Sequence, residues 1–456
     1  MAPPQPGRES QPLGAVLPEG TRFVGPAGSV IPNWSGPDHP AEDDLNACVA
    51  CGLCLPHCPT YRLTGEESAS PRGRIAAMRA VGDGRAEVDD AFASFMDLCL
   101  SCRACEDVCP SHVPFGRMME GARAQIEPLR SRRVRLLRWL GLDVVLPRRW
   151  LLTAAASLAP VARPVLPRRI RLLVPPRTAR SHPLPVVTEP TNHVPARGTV
   201  ALLSGCVQDR WYRHVNAATI RVLARNGWRV VVPRRQTCCG ALPAHYGHLG
   251  TARSLAATNL RAFARLHVRA ILVNAAGCGA HMKEYGDLLA GDERAVETAA
   301  RVRDLMEFLA ETGIDDPSDG ADIARVAYHD ACHALRAQGL AAQPRAVLSR
   351  IPGLEIAEVQ DGDRCCGAAG LYNVLQPAMS GELRRRTAEA VARAGAPVVA
   401  SANPGCTMQI AAGLAELGAD IEVVHPVELL DRAYRRGGAA GADGMAQGHR
   451  DGVRGG

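Results

Sequence analysis

The sequence contains almost no lysine and no apolar segment of membrane-spanning length. Of its 53 basic residues only Lys283 is a lysine, which a bias in codon composition explains. The longest apolar segment, residues 150–162, contains a proline and falls well short of the roughly 20 residues that a membrane helix needs. Residues 1–40 have no basic region followed by an apolar run, so we expect a weakly ordered leader rather than a secretory signal.

The sequence also lacks the features of a secreted disulfide scaffold and of a dinucleotide-binding protein. Sixteen cysteines among 456 residues are too few for such a scaffold, and most of them are clustered. Clustered cysteines favour metal ligation in a reducing compartment, so we expect a cytoplasmic protein. Because no glycine-rich fingerprint is present, we expect no flavin on this chain. The length suggests about three domains.

Eight cysteines occur in two copies of the spacing C-x2-C-x2-C-x3-C-P, at residues 48–59 and 99–110. In this pattern three thiolates bind one cubane and the fourth binds the neighbouring one. The two copies therefore predict two [4Fe-4S] clusters with exchanged ligands, and thus single-electron transfer. The predicted ligands are Cys48, Cys51, Cys54 and Cys109 for the first cluster, and Cys99, Cys102, Cys105 and Cys58 for the second.

Zinc and disulfides are the alternatives for these cysteines. Zinc ribbons use paired C-x2-C units separated by a longer loop, and one tetrahedral ion needs only four ligands. Cysteines so close in sequence also pair poorly with one another, which disfavours disulfides. The spacing therefore favours clusters over both alternatives.

The region around the two motifs is predicted to be a small helical domain, residues 41–128. One helix should begin at residues 70–71, where serine precedes proline, and another should cover residues 89–98. We expect Arg72 and Arg74 to be solvated or paired surface residues. The side chains expected to face inward are Ile75, Met78, Val81, Phe92, Phe95 and Met96.

A basic connector is predicted at residues 129–198. Between Arg130 and Arg180 it holds thirteen arginines and one acid, Asp143, giving about +12, whereas the whole chain carries +7. Interleaved apolar residues predict short amphipathic helices, and we expect either docking on anionic lipid or a partner subunit, or packing along the chain's own domains. No nucleic-acid motif accompanies the charge, so no nucleic-acid partner is expected. The prolines expected to break these helices are Pro147, Pro160, Pro164 and Pro167.

The rest of the chain contains a duplication, predicted as two Cys-Cys-Gly domains at residues 199–320 and 321–436, followed by a flexible tail at 437–456. Corresponding cysteines lie 126 to 128 residues apart. Strand and helix patterns alternate in both units, which predicts α/β domains with parallel sheets and with cysteines just after strands. The cysteines are Cys206, Cys238, Cys239 and Cys278 in the first unit, and Cys332, Cys365, Cys366 and Cys406 in the second.

Four thiols should therefore converge within each unit. This arrangement favours a further metal cluster in at least one unit, and these eight cysteines are its candidate ligands. A redox-active thiol site, a disulfide between distant members and inert buried thiols are the alternatives. His329 and His333 flank Cys332, and a packed or capping role is expected for both.

With these motifs the chain resembles the family that contains the iron-sulfur subunit of bacterial glycolate oxidase. Its relatives include subunits of anaerobic glycerol-3-phosphate dehydrogenase, lactate-utilisation proteins and heterodisulfide reductase. In heterodisulfide reductases each unit ends in C-x2-C, whereas His281 and Gln409 stand at those positions here. The resemblance covers residues 47 to about 434, and within it residues 58–61, 70–75, 276–285 and 403–409 look closest to the glycolate oxidase subunit.

The resemblance implies an electron-transfer subunit of a flavin-dependent 2-hydroxy-acid dehydrogenase that oxidises glycolate to glyoxylate. It implies flavin-containing partner subunits that oxidise the substrate, and a quinone or respiratory-chain acceptor at the membrane. Glycerol-3-phosphate, lactate or heterodisulfide systems are the alternatives within electron transfer. A thiol-disulfide reductase and a metal-stabilised scaffold are alternatives from other classes. The expected fold is an all-helical, ferredoxin-like two-cluster domain followed by two repeated α/β domains.

Overall fold

The computed structural model describes residues 33–165, 171, 182–191, 195–318, 322–362 and 364–436. The predicted tail, most of the predicted leader and parts of the connector, including Pro167, lie outside these ranges. None of the helices in the described ranges is long and apolar enough to cross a membrane.

The N-terminal region is helical, as predicted. Ser70 and Asp89 cap two of its helices, accepting hydrogen bonds from the N–H groups of Gly73 and Phe92, both at 2.8 Å. The side chains predicted to face inward are buried except Phe95, which is half-buried. The helices are α1 (Glu42–Asn46), α2 (Pro59–Thr64), α3 (Pro71–Gly82), α4 (Asp90–Asp97), α5 (Ala104–Asp107) and α6 (Phe115–Ile126), with 3₁₀ turns at Leu55–His57, Glu67–Ala69 and Glu127–Leu129.

The connector forms α7 (Arg132–Arg138), a π-helical segment (Trp139–Val145), α8 (Arg149–Ala162) and a 3₁₀ turn (Arg163–Val165). Pro147 separates two of these elements, as predicted. The prediction for Pro160 is wrong, because α8 continues through it for two more residues. A proline this close to the end removes only one backbone bond from a terminal turn.

The inner face of the connector packs along the protein. Leu142 and Leu146 join the core of the first unit, and Leu152 and Ala156 are also buried. The connector therefore packs on its own chain, which was one of the two expectations for it.

The first unit is a five-stranded sheet in the order β1-β3-β2-β4-β5. All neighbours are parallel except β1, a two-residue edge strand that pairs antiparallel with β3. The strands are β1 (Val187–Thr188), β2 (Gly198–Leu203), β3 (Trp228–Val231), β4 (Ile271–Val273) and β5 (Val302–Asp304). The helices are α9 (Val207–Trp211), α10 (Arg213–Arg225), α11 (Ala241–His245), α12 (Leu249–Phe263), α13 (Ala276–Lys283), α14 (Tyr285–Leu288), α15 (Glu293–Arg301) and α16 (Leu305–Thr312).

The second unit repeats this arrangement as a parallel sheet in the order β7-β6-β8-β9, which corresponds to β3-β2-β4-β5. Its strands are β6 (Arg325–Tyr328), β7 (Glu355–Glu358), β8 (Val398–Ala400) and β9 (Glu422–Val424). Its helices are α17 (Cys332–Gln338), α18 (Ala342–Leu348), α19 (Tyr372–Leu375), α20 (Pro377–Arg393) and α21 (Pro404–Leu417), and residues 426–436 are also helical.

The two units meet at the carboxyl ends of their central strands. The backbone N–H of Ala276, just after β4, donates to the carbonyl of Ala402, just after β8, at 3.0 Å. The side-chain oxygen of Asn403 accepts a hydrogen bond from the N–H of Gly277 at 3.3 Å. Functional loops of parallel sheets gather at this edge, so the junction brings the loops of both units together.

Candidate iron-sulfur centres and thiol cavity

The two cysteine motifs of the helical domain fold into loops with the same backbone conformation. In the first loop Ala50 and Gly52 have φ angles of 58° and 83°, and in the second Ser101 and Arg103, at the same places in the motif, have 50° and 63°. Left-handed conformations are strained for residues other than glycine. Their recurrence shows that both loops are bent in the same way around their cysteines.

The first loop encloses a small cavity of about 30 Å³. Its walls include all four cysteines predicted for the first cluster, together with Cys105. Burial raises the pKa of Cys54, so its thiolate form is disfavoured without a compensating positive charge.

The second loop encloses an adjacent cavity of about 20 Å³, whose walls include all four cysteines predicted for the second cluster. The N–H of Ser101 donates to the sulfur of Cys99 at 3.3 Å. A hydrogen bond with Cys365 and burial raise the pKa of Cys102, and burial raises that of Cys105. A metal centre would supply the positive charge that thiolates buried in this way need.

These observations fit two cubanes. Each cavity has cysteines from both motifs in its walls, as exchanged ligands require, and Cys105 borders both cavities. Within the described ranges, no three or more His, Cys, Asp or Glu side chains converge on a single-ion position.

Arg72 and Arg74 differ from each other in burial. Arg72 pairs with Glu67 at 2.7 Å and stays partly exposed, as expected. Arg74 contradicts the expectation of a surface residue, because it is only 1% exposed and borders the second cavity. Residues two apart on a helix point about 200° apart, so only one of them faces the solvent here.

The cysteines of the two α/β units line one common cavity of about 330 Å³. Convergence within each unit was predicted, whereas the meeting of both sets in one cavity was not. The only sequence signal for this shared cavity was the equal spacing of the two cysteine sets. Equivalent loops of two repeats meet when the repeats face each other with the carboxyl ends of their strands. The lining cysteines are Cys206, Cys238, Cys239 and Cys278 from the first unit, Cys332, Cys365, Cys366 and Cys406 from the second, and Cys99 from the helical domain.

The thiols of the first unit form a row. The sulfurs of Cys206 and Cys238 lie 3.4 Å apart, Cys238 hydrogen-bonds Cys239, and Cys239 hydrogen-bonds Cys278. The bond with Cys206 lowers the pKa of Cys238, but the bond with Cys239 and burial raise it overall. None of the sixteen cysteines is joined in a disulfide, so the disulfide alternative is not adopted in this structure.

The thiols of the second unit connect to the helical domain. Cys365 hydrogen-bonds Cys332 and Cys366, and Cys366 hydrogen-bonds Cys406. Cys365 also hydrogen-bonds Cys102, in the wall of the second small cavity. The contact joins the second motif directly to the common cavity.

Histidines and an arginine complete the polar lining near this junction. His329 packs as expected, 3.1 Å from the hydroxyl of Ser401, whereas His333 borders the common cavity with its Nδ1 3.5 Å from the Cys332 sulfur. His245 lies 2.8 Å from Glu120, and burial lowers its pKa to about 4. No sequence motif pointed to His245 or to Arg123, which donates to the carbonyl of Cys99 at 2.6 Å and also borders the cavity.

Comparison with known families agrees with this architecture. Residues 44–113 match the 4Fe-4S dicluster domain, and residues 200–283 and 326–411 match the cysteine-rich domain. The fold and site thus define an iron-sulfur oxidoreductase subunit whose eight N-terminal cysteines hold two [4Fe-4S] clusters.

Within that class, the chain belongs to the family of glycolate oxidase iron-sulfur subunits. It is 35% identical over 422 residues to the probable glycolate oxidase iron-sulfur subunit of Bacillus subtilis, covering 85% of this chain and 94% of that one. It is 33% identical over 404 residues to the glycolate oxidase iron-sulfur subunit of Escherichia coli, covering 87% and 96%. A fumarate reductase (CoM/CoB) subunit from Methanothermobacter marburgensis is 29% identical over 405 residues, covering 87% and 74%.

Proposed function

We propose that this chain is the electron-transfer subunit of a flavin-dependent 2-hydroxy-acid dehydrogenase that oxidises glycolate to glyoxylate. The observation that carries the proposal is the continuity of thiols, from the exposed Cys51 through both small cavities to Cys102 and Cys365. Similarity to two glycolate oxidase subunits supports the choice of substrate. A glycerol-3-phosphate, lactate or heterodisulfide system is the alternative.

The eight N-terminal cysteines are assigned in two sets of four. Clusters bound there supply reversible one-electron transfer, which divides the two electrons that leave each substrate molecule. The chain itself holds the thiolates and buries most of the second set of cysteines. It also brings the wall of the second cavity, at Cys102, against Cys365. The first set is Cys48, Cys51, Cys54 and Cys109, and the second is Cys99, Cys102, Cys105 and Cys58.

Substrate oxidation is assigned to partner chains. The sequence has no dinucleotide fingerprint, so flavin-containing dehydrogenase subunits would remove two electrons and two protons from glycolate. A quinone or another respiratory-chain component would be the acceptor. We propose that the complex works in the cytoplasm, at the inner face of the cytoplasmic membrane.

The common cavity is a candidate site for a further cluster. It is lined by four cysteines from each α/β unit, and their buried thiols need a cationic partner to ionise. We assign these eight residues as candidate additional ligands. Iron above the roughly eight atoms of two cubanes in anaerobically purified protein supports this site, and its absence argues against it.

A thiol-disulfide reductase is a second candidate function, favoured by the 3.4 Å separation of the Cys206 and Cys238 sulfurs. In that reaction the two thiols lose two electrons and two protons as their disulfide forms, and a disulfide substrate accepts them as it is reduced to two thiols. Reduction of a disulfide by protein without iron supports this function.

The connector is proposed to contact the membrane through its outer face. Arg132, Arg133 and Arg135 are exposed and have no polar partner among the described residues. Apolar side chains lie exposed beside them, which is the composition of interfacial helices. The exposed side chains are Leu136, Leu137, Trp139, Leu140, Trp150, Leu158, Val161 and Val165.

We propose the domain limits that were predicted from the sequence, and the positions of the helices and strands support them. Residues 41–128 contain α1 to α6, residues 199–320 contain most of the first sheet, and residues 321–436 contain the second. Residues 129–198 form the connector, whose end supplies the edge strand β1.

The decisive experiment is anaerobic co-purification from the native host. We expect flavin-containing chains in the complex, about eight irons from two cubanes, and bleaching at about 400 nm when glycolate is added. Zinc or no metal in place of iron contradicts the cluster assignment. Reduction by lactate or glycerol 3-phosphate, but not by glycolate, contradicts the assigned substrate.

A further inference from the structure

The first cysteine loop presents an apolar face to the solvent. Val49 and Leu53, on either side of Cys51, are 70% and 56% exposed, and Cys51 itself is exposed. Apolar side chains of this size scattered singly over a surface need no explanation. Here two of them flank a thiol of the electron-transfer site.

The corresponding face of the second loop is buried. Leu100, Cys102 and Ala104 occupy the places of Val49, Cys51 and Leu53 in the motif, and they are only 5%, 9% and 8% exposed. They pack in one apolar cluster with a wall of the second α/β unit, formed by Cys365, Tyr372 and Leu383. In the second loop, therefore, this face is the contact with the next thiol site.

The two loops differ in what covers them rather than in their own shape. Their backbones share the same left-handed conformations, so the side chains at these three motif positions project from the same face in both loops. One charged residue also distinguishes them: Arg103 of the second loop pairs with Glu284 of the first unit, whereas Gly52 stands at its place in the first loop. The exposed loop thus keeps its apolar contact residues but has no charged residue at this place.

We propose that the face formed by Val49, Cys51 and Leu53 is the docking surface for the flavin-bearing partner chain. The proposal deepens the function proposed above and rests on it. Electron transfer requires close approach. In the second set Cys58, Cys99 and Cys102 are each at most 9% exposed and Cys105 is half-buried, whereas Cys51 of the first set is exposed. Electrons from another chain should therefore enter through the first loop.

The chemistry of the face indicates the chemistry of the partner surface. Arg72, which donates to the Ala50 carbonyl of this loop, is already paired with Glu67, and the side chains that flank Cys51 are aliphatic. An apolar surface of the partner, with its flavin close behind, complements them as Cys365, Tyr372 and Leu383 complement the second loop. Salt should accordingly have little effect on this contact.

Site-specific photo-crosslinking in the native host tests the docking surface. A photoreactive phenylalanine analogue at position 49 or 53 should produce a covalent adduct with a chain that carries flavin, identified by mass spectrometry and flavin fluorescence. The same analogue at Val296 or Leu417, exposed by 59% and 43% on other surfaces, should not. Adducts with the flavin-bearing chain from the control positions alone overturn the proposal.

Binding measurements with the purified full-length chain give an independent readout. Val49→Glu combined with Leu53→Glu should weaken binding of the co-purified flavin-bearing chain by about tenfold or more, since apolar anchors are lost. The electron paramagnetic resonance (EPR) signals of both clusters should persist, which shows that the loop still folds. Val296→Glu with Leu417→Glu is the matched control. Unchanged affinity in the first variant overturns the docking surface but leaves the proposed function intact, whereas a wild-type protein that binds no flavin-bearing chain refutes both.

Discussion

The thiol of Cys102 hydrogen-bonds the thiol of Cys365, which joins the second cysteine motif of the helical domain to the second α/β unit. Around this pair, Leu100 and Ala104 pack against Tyr372. The hydroxyl of Tyr372 donates to the carbonyl of Leu98 at 2.9 Å. The two thiol sites are therefore joined by a packed and hydrogen-bonded contact. Hydrogen bonds to cluster sulfurs tune reduction potentials.

Replacing Cys365 with alanine should lower the reduction potential of one N-terminal cluster. A hydrogen bond to a cluster sulfur stabilises the more negative, reduced state, and its loss costs about 1 kcal/mol, or roughly 40 mV for one electron. Potentiometric titration followed by EPR measures the shift. Cys206→Ala is the control, because Cys206 also borders the common cavity but contacts Cys238 of its own unit. Equal shifts in both variants would show that the Cys102–Cys365 contact has no special influence.

If the two motifs exchange ligands, cysteine variants from different motifs should alter the EPR signal of the same cluster. Cys58→Ser should alter the same EPR signal as Cys102→Ser, although the two residues belong to different motifs. Cys109→Ser should likewise alter the same signal as Cys51→Ser. Each single variant should retain about four irons in the other cluster. If Cys58→Ser instead alters the signal affected by Cys51→Ser, each motif holds its own cluster and the exchanged assignment is wrong.

The sequence was informative where function depends on local spacing. The cysteine intervals predicted the two-cluster domain, and apolar segments followed by cysteines predicted the strands before Cys206 and Cys332. These features are local because a cluster loop or a strand end is formed by consecutive residues.

The sequence was uninformative where the structure depends on contacts between segments that are far apart in the chain. The contact of Cys102 with Cys365 joins residues far apart in the chain, and no periodicity encodes it. The edge strand β1 has only two residues, too few for an alternating pattern. Arg74 was misjudged because a charged residue is normally exposed, and its partners, Phe95 and Thr60, come from other segments.

Replacing Arg74 with leucine should destabilise the helical domain by about 2–4 kcal/mol. Its guanidinium donates to the carbonyl of Phe95 at 2.7 Å and to the hydroxyl of Thr60 at 3.2 Å, and both acceptors lose this buried donor in the variant. Anaerobic urea denaturation, monitored by cluster absorbance, measures the change. Arg72→Leu, which removes a partly exposed pair with Glu67, should cost about 1 kcal/mol or less. If both variants lose a comparable free energy of unfolding, the burial of Arg74 is not what stabilises the domain.

His248 should make stability depend on pH in the alkaline range. Its Nδ1 lies 2.8 Å from Asp143 and its Nε2 lies 3.5 Å from Glu127, which also pairs with Arg130 and Arg138. Burial alone would lower the pKa of His248, but the hydrogen bond to Asp143 and the ion pair with Glu127 raise it to about 9. Because the folded pKa lies above the unfolded value of about 6.5, this contribution is fully present below about pH 6.5 and is lost as pH rises through about 9.

The test compares His248→Gln with the wild type in urea denaturation between about pH 6 and pH 9.5. The stability difference should be largest at the acidic end and should shrink as the pH rises. His267→Gln, at an exposed histidine, is the control and should give no such trend. A difference that is constant with pH would show that His248 is not protonated in the folded protein.

The connector should bind vesicles that contain anionic lipid. Reversing Arg132, Arg133 and Arg135 to glutamate should weaken binding to phosphatidylcholine vesicles that contain phosphatidylglycerol by roughly a hundredfold, since each surface cation contributes about 1 kcal/mol. Vesicle co-sedimentation at two salt concentrations measures this, and higher salt should weaken the wild-type interaction.

The matched control for the connector carries the same change in charge at three exposed arginines of the first unit: Arg234→Glu, Arg235→Glu and Arg265→Glu. It should bind nearly as the wild type does, because these arginines have no exposed tryptophan or leucine among their chain neighbours to enter the interface. Trp139→Ser with Leu137→Ser should weaken binding without changing the charge, which separates apolar insertion from electrostatic attraction. If the control triple and the connector triple lose affinity equally, net charge alone drives binding and the connector is not the membrane-contacting surface.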